Sequence, residues 1–113
     1  MIDNLPKSFR VGSVEYSVSI TPKIAALECL WGKISFGNAL IELAEGLSEE
    51  RLKNVLIHEL THAIFHEAGF IEHDEDMVNR VGNVLAQVLR DNDFGFMNEL
   101  DSISLSPEVS EGD

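Results

Sequence analysis

Residues 49 to 68 are the most sharply bounded segment of the chain, and they restrict the fold more than any other stretch. Ser48 can accept hydrogen bonds from the unpaired amides of a helix start, Glu49 and Glu50 suit the positive end of its dipole, and Leu47 can staple against Leu52. At the far end Gly69 suits a left-handed residue, and Phe70 can close back on Phe65. The spacing predicts a helix over 49–68, about 30 Å long, which is the width of a small domain. With His58 at zero and about 100° per residue, Leu52, Leu56, Ile57, Leu60, Ala63 and Ile64 fall between about 120° and 260°, and Phe65 near 340°. A helix apolar around most of its girth belongs at the centre of a fold.

The remaining face of this helix carries His58, His62, His66 and Glu59, at about 0°, 40°, 80° and 100°. Burying imidazoles and a carboxylate is costly unless each finds a partner, and a cation held by the ring nitrogens would supply one. His-Glu-Leu-Thr-His is the H-E-x-x-H arrangement, in which two histidines one turn apart chelate Zn²⁺ and the glutamate serves the attacking water as general base. The competing reading is a set of histidines hydrogen-bonded within the core. His66 drifts from a metal shared by the first two, and its place in the last turn favours an interaction with the helix dipole.

Upstream, residues 9 to 20 alternate apolar and polar side chains around Gly12-Ser13, the pattern of a hairpin or two short strands. Residues 30 to 36 and 39 to 43 flank Gly37-Asn38 and read as a second hairpin, with Trp31 in the core. Between them, TPKIAALEC (21–29) reads as a short helix capped by Thr21. Downstream, Asp74 is a plausible cap for a helix whose Met77, Val78, Val81, Val84, Leu85, Val88 and Leu89 recur at the helical spacing, a stripe expected to pack in the core. Glu75, Asn79, Gly82 and Ala86 share the opposite face, where small residues would let a second helix approach closely.

The 113 residues, 44% of them apolar, suffice for one modest core. We expect a single domain over 1–98 and an acidic tail over 99–113. Eight basic against twenty acidic residues leave a formal charge of −12, which repels nucleic-acid backbones and anionic membranes. The lone Cys29 offers no internal disulfide, and neither a secretory signal nor a membrane span is visible. A cytoplasmic protein is the expectation.

The segment HELTHAIFHEAGF, preceded by a hairpin and followed by an acidic helix, resembles the zincin metallopeptidases, and among them the small ImmA/IrrE-like proteins and their short phage-encoded relatives. The resemblance spans roughly residues 30 to 92 and implies an α+β zincin-like domain, with a twisted antiparallel or mixed sheet of hairpins packed on the motif helix and a second helix. It implies His58 and His62 as zinc ligands, Glu59 as general base, and ALIEL (39–43) as the strand aligning an extended peptide. A third ligand, usually glutamate, would come from the next helix. The usual family position is occupied here by Asn79, a poor zinc ligand, so Glu75 is the first candidate, with Asp76, Asp74 and His73 as alternatives and Asn79 supporting from behind. Glu75 and Asp76 could equally serve only the helix start. His73 reads as solvated, and Tyr16 and Arg80 as the available oxyanion stabilisers.

Two functions of different class follow. One is a zinc metallopeptidase cleaving a protein or peptide substrate, a repressor if the ImmA likeness extends to biology. The other is a non-catalytic zincin-fold protein whose acidic surface engages a basic partner or mimics DNA. A purely structural zinc fits less well, because such sites take four protein ligands and often cysteines.

Overall fold

The computed structural model describes residues 5–22 and 31–100. The helix expected over 21–29 falls almost entirely outside them, as do Cys29 and residues 101–113 of the expected tail. Strands β1 (Ser8–Val11) and β2 (Val14–Thr21) form the first antiparallel hairpin, with Ser8 opposite Ser17 and Val11 opposite Val14. Gly12 takes φ +62° at its turn, a conformation that costs a residue without Cβ little. Strands β3 (Gly32–Ser35) and β4 (Leu40–Ala44) form the second. There the left-handed residue is Ala39, at φ 50°, and not Gly37 or Asn38.

The two hairpins join through a parallel β2–β4 ladder running from Ser17 opposite Leu40 to Thr21 opposite Ala44, which gives a mixed sheet of order β1-β2-β4-β3. This corrects the expected role of ALIEL. Strand β4 is bonded on both sides, so its main-chain groups are already used in the sheet, and β3 is the outer strand on that side among the described residues.

Helix α1 (Glu49–Glu67) is capped as its sequence predicts. The Ser48 side chain accepts from the Arg51 amide at 3.2 Å. At the other end the amides of Gly69, at φ +105°, and Phe70 donate to the carbonyls of His66 and Phe65, satisfying groups the helix leaves open. Leu52, Leu56, Leu60 and Ala63 of α1 enter one cluster with Val11, Tyr16, Ile41 and Leu43 of the sheet. Burial of each large side chain there contributes about 1.5–3 kcal/mol, so this layer carries most of the fold's stability.

Helix α2 (Glu75–Asp91) packs chiefly on α1, and Asp74 caps it through the amides of Asp76 and Met77. The expected core stripe is buried only in part. Met77, Val81, Val84 and Leu89 face solvent and Leu85 and Val88 are half-buried, while Val78 of the stripe is fully buried and Gly82 is buried on the small-residue side. The helix has turned that side to α1 because the closest approach is set at Gly82. A Cβ there would lie 3.2 Å from Thr61 Oγ1 and 3.9 Å from His58 Cα. A short helix α3 (Phe96–Leu100) follows, and the expected domain end at residue 98 falls inside it. Trp31 is another departure from expectation: it is 51% exposed, its ring covered by the Arg51 guanidinium at 4.0 Å rather than by the core. Among the described residues no helix is long and apolar enough to cross a membrane.

Candidate metal centre

Mid-way along α1 the helical period brings His58 and His62 onto the face turned to the start of α2, where Glu75 stands in the first turn. One Glu75 oxygen lies 3.5 Å from His58 Nε2 and the other 3.2 Å from His62 Nε2. One ligand atom from each of the three residues lies within 4.8 Å of the others, a group that could hold a metal ion. In a tetrahedral zinc site with bonds near 2.05 Å, ligand atoms stand about 3.3 Å apart, so the 3.5 and 3.2 Å separations between Glu75 and the two imidazoles fit such an ion. Thr61, between the histidines, is buried and donates its hydroxyl to the Ile57 carbonyl at 2.7 Å, which satisfies that buried donor.

The proton positions around His62 follow from its neighbours. His73 Nε2 lies 2.9 Å from the Phe70 carbonyl, which can only accept, so His73 donates there. Its Nδ1 then accepts from His62 Nδ1 at 2.8 Å. That leaves neutral His62 with a bare Nε2 lone pair aimed at the Glu75 carboxylate. Two acceptors 3.2 Å apart repel unless a cation lies between them. Burial lowers the His62 pKa, with Glu75 opposing and the charges of His58 and His73 adding to the fall, so a proton is not favoured in that role. His73 itself is held edge-on by Phe36 and Phe65, and its ring lies edge to edge with His62, the two planes 18° apart.

Glu59 is 7% exposed and is not one of the three residues grouped as possible ligands. Its carboxyl is pushed up to about 7, first by burial and then by the charge of Glu75. Strand β3 lies close to it because residue 32 is glycine. A Cβ there would sit 3.4 Å from Glu59 Oε2 and only 2.5 Å from Val55 Cγ1. Glu59 and His58 share the wall of an open cavity of about 440 Å³, lined further by Trp31, Arg51, Asn54, Asn79 and Asn83.

The structure therefore brings His58, His62 and Glu75 together and seats Glu59 beside them. The other third-ligand candidates are engaged elsewhere: Asp74 caps α2, Asp76 pairs with Arg80 at 2.9 Å, and His73 bonds His62. His73 is thus bonded and half-buried rather than solvated. Asn79 lines the cavity beside Glu59. His66 stacks on Phe36 at 4.1 Å. Neither expected oxyanion stabiliser serves as one here. Tyr16 is wholly buried with its hydroxyl donating to Glu67 at 2.6 Å, and Arg80 is turned to Asp76 and solvent. Sequence reasoning missed the support from His73 and the polar cavity wall; Arg51, seven residues before His58, falls at about 20° on the histidine face and was legible from the helical period. No protein-family model matches the chain, nor does any curated protein or solved structure.

Proposed function

We propose that the chain is a small zinc-dependent metallopeptidase of zincin-like fold, acting on a protein or peptide substrate. The observation that carries this reading is the convergence of His58, His62 and Glu75 with Glu59 buried alongside, on a cavity large enough for peptide side chains. Two imidazoles and one carboxylate are the donor set of hydrolytic zinc sites, which keep one position open, and they fit zinc better than a structural site. A bound zinc supplies Lewis acidity and lowers the pKa of water toward neutrality.

The chain's own residues do the rest. His58, His62 and Glu75 would hold the ion, with His73 fixing the His62 tautomer. Glu59 takes the proton of the attacking water and, poised near neutral pKa by burial, returns it to the leaving amine. The substrate lies in the cavity between Gly32 of β3 and Asn79 and Asn83 of α2.

The test is Glu59→Gln. Cleavage of a mixed peptide pool by the zinc-loaded protein, followed by mass spectrometry, should fall by about 10²–10⁴-fold while zinc content is unchanged. Equal cleavage by the variant would remove Glu59 as the base. The charge of −12 favours the second reading, a binding protein for a basic partner or a DNA mimic, and such a protein would keep its function in the same variant.

A further inference from the structure

The cavity beside Glu59 has a wall that hydrolysis does not need. Arg51 stands on the same face of α1 as His58, and its guanidinium lies over the Trp31 ring at 4.0 Å, with no carboxylate pairing it among the described residues. That is unusual in a chain with twenty acidic side chains and eight basic ones. Stacking occupies the flat face of the guanidinium and holds it in place, yet leaves the in-plane N–H groups free for a two-pronged contact with a carboxylate. Asn54, Asn79 and Asn83 line the same cavity, and their side-chain amides bond to no other described residue. A fixed cation and three unengaged amides are the groups that would receive an anionic oxygen pair.

We propose that this cavity is a carboxylate-recognition pocket in which Arg51, oriented by Trp31 and assisted by Asn54, Asn79 and Asn83, binds a carboxylate of the peptide substrate. This rests on the metallopeptidase reading for where cleavage falls. Seven residues of helix separate Arg51 from His58 by about 10.5 Å, and an extended peptide advances about 3.3 Å per residue, so the recognised carboxylate lies about three residues from the cleaved bond. The carboxylate can belong to an Asp or Glu side chain or to the peptide's carboxyl terminus. The pocket also works against the rest of the molecule. A surface of charge −12 favours basic peptides, so an acid demanded at one fixed position is the signature of a local cation.

The experiment uses full-length, zinc-loaded protein and pools of randomised decapeptides, each with Glu or Gln fixed at one position and the carboxyl terminus free or amidated. Mass spectrometry locates the cleaved bonds. We expect Glu to exceed Gln by about ten- to hundredfold at one offset near three residues, or the free terminus to exceed the amide at that offset. The first outcome identifies a side-chain carboxylate, the second a terminal one. Arg51→Gln should collapse the preference to near parity, and Arg51→Lys, which keeps the charge but loses the planar fork, should restore only part of it. Cleavage with no acid preference, or a preference indifferent to Arg51→Gln, overturns the pocket and leaves the peptidase standing. If no pool is cleaved, the peptidase reading fails by itself. The pocket is then judged by retention of the same pools on immobilised Glu59→Gln protein with and without Arg51→Gln. Acid-selective, Arg51-dependent retention supports it, and its absence overturns it.

Discussion

His73 illustrates how a residue outside the proposed ligand set can decide whether a ligand would work. By donating to Phe70 and accepting from His62, it fixes which nitrogen of His62 is bare. Removing such a support typically costs 10–100-fold in metal affinity. His73→Ala should therefore weaken zinc binding by about that factor in a chelator competition titration, with the far-ultraviolet circular dichroism unchanged. Unaltered affinity would show that His62 needs no such orientation. Tyr16 is a second residue with a defined energetic role, at the opposite end of α1 from the cavity. Burial, the hydrogen bond to Glu67 and the Glu67 charge push its hydroxyl from 10.0 up to about 12. The folded state thus favours the protonated phenol. Its contribution is complete below pH 10 and is lost as pH rises through about 12. Tyr16→Phe should cost about 1–2 kcal/mol at pH 8 and flatten the alkaline loss of stability, as read from urea denaturation at pH 8 and 11. A parallel alkaline decline in both proteins would contradict this assignment.

Between elements, contact is set where side chains are missing. Gly82 lets α2 approach α1, and that approach brings Glu75 to the two histidines. Thr61 cannot yield freely, because its hydroxyl is buried and bonded to Ile57. Gly82→Val should destabilise the chain by about 1–3 kcal/mol through overpacking and should also weaken zinc binding, although residue 82 touches no ligand atom. Retained affinity would mean that Glu75 is placed by some other contact. The helix ends were legible in the sequence because their signals are local: Ser48 and Asp74 as caps, Gly69 and Phe70 as the stop. The hairpin about Gly12 was legible for the same reason. The stripe from Met77 to Leu89 was legible only in part, with Val78 alone fully buried, since periodicity gives a helix two faces and does not say which one meets its neighbour. Volume decided it: the face bearing Gly82 fits against α1, and of the stripe only Val78 is wholly covered.

For the whole molecule, the parallel β2–β4 ladder is the feature local reasoning could not supply. It pairs strands separated by the intervening chain, and no turn residue encodes it. It moves ALIEL to the interior of the sheet and makes β3 the strand beside Glu59. The site divides in the same way. His58, Glu59 and His62 follow from the period of one helix, and Glu75 from the small face of the next. The His73 bond depends on how the loop after Gly69 folds back, and the Arg51–Trp31 stack on how β3 meets α1. The tertiary arrangement would also make a bound metal a clasp. The core lies between α1 and the sheet, and α2 buries only Val78 and Gly82, so an ion shared by His58, His62 and Glu75 would fasten the second helix to the first. Zinc at 1,000 times its dissociation constant would add about 4 kcal/mol to stability. The most direct test is zinc content and thermal stability measured together on wild type and on Glu75→Ala. One zinc per wild-type chain, a melting temperature that rises with added zinc, and loss of both in Glu75→Ala are the predicted results. A wild-type chain that takes up no zinc, or a Glu75→Ala variant that binds it equally well, would contradict the proposed centre.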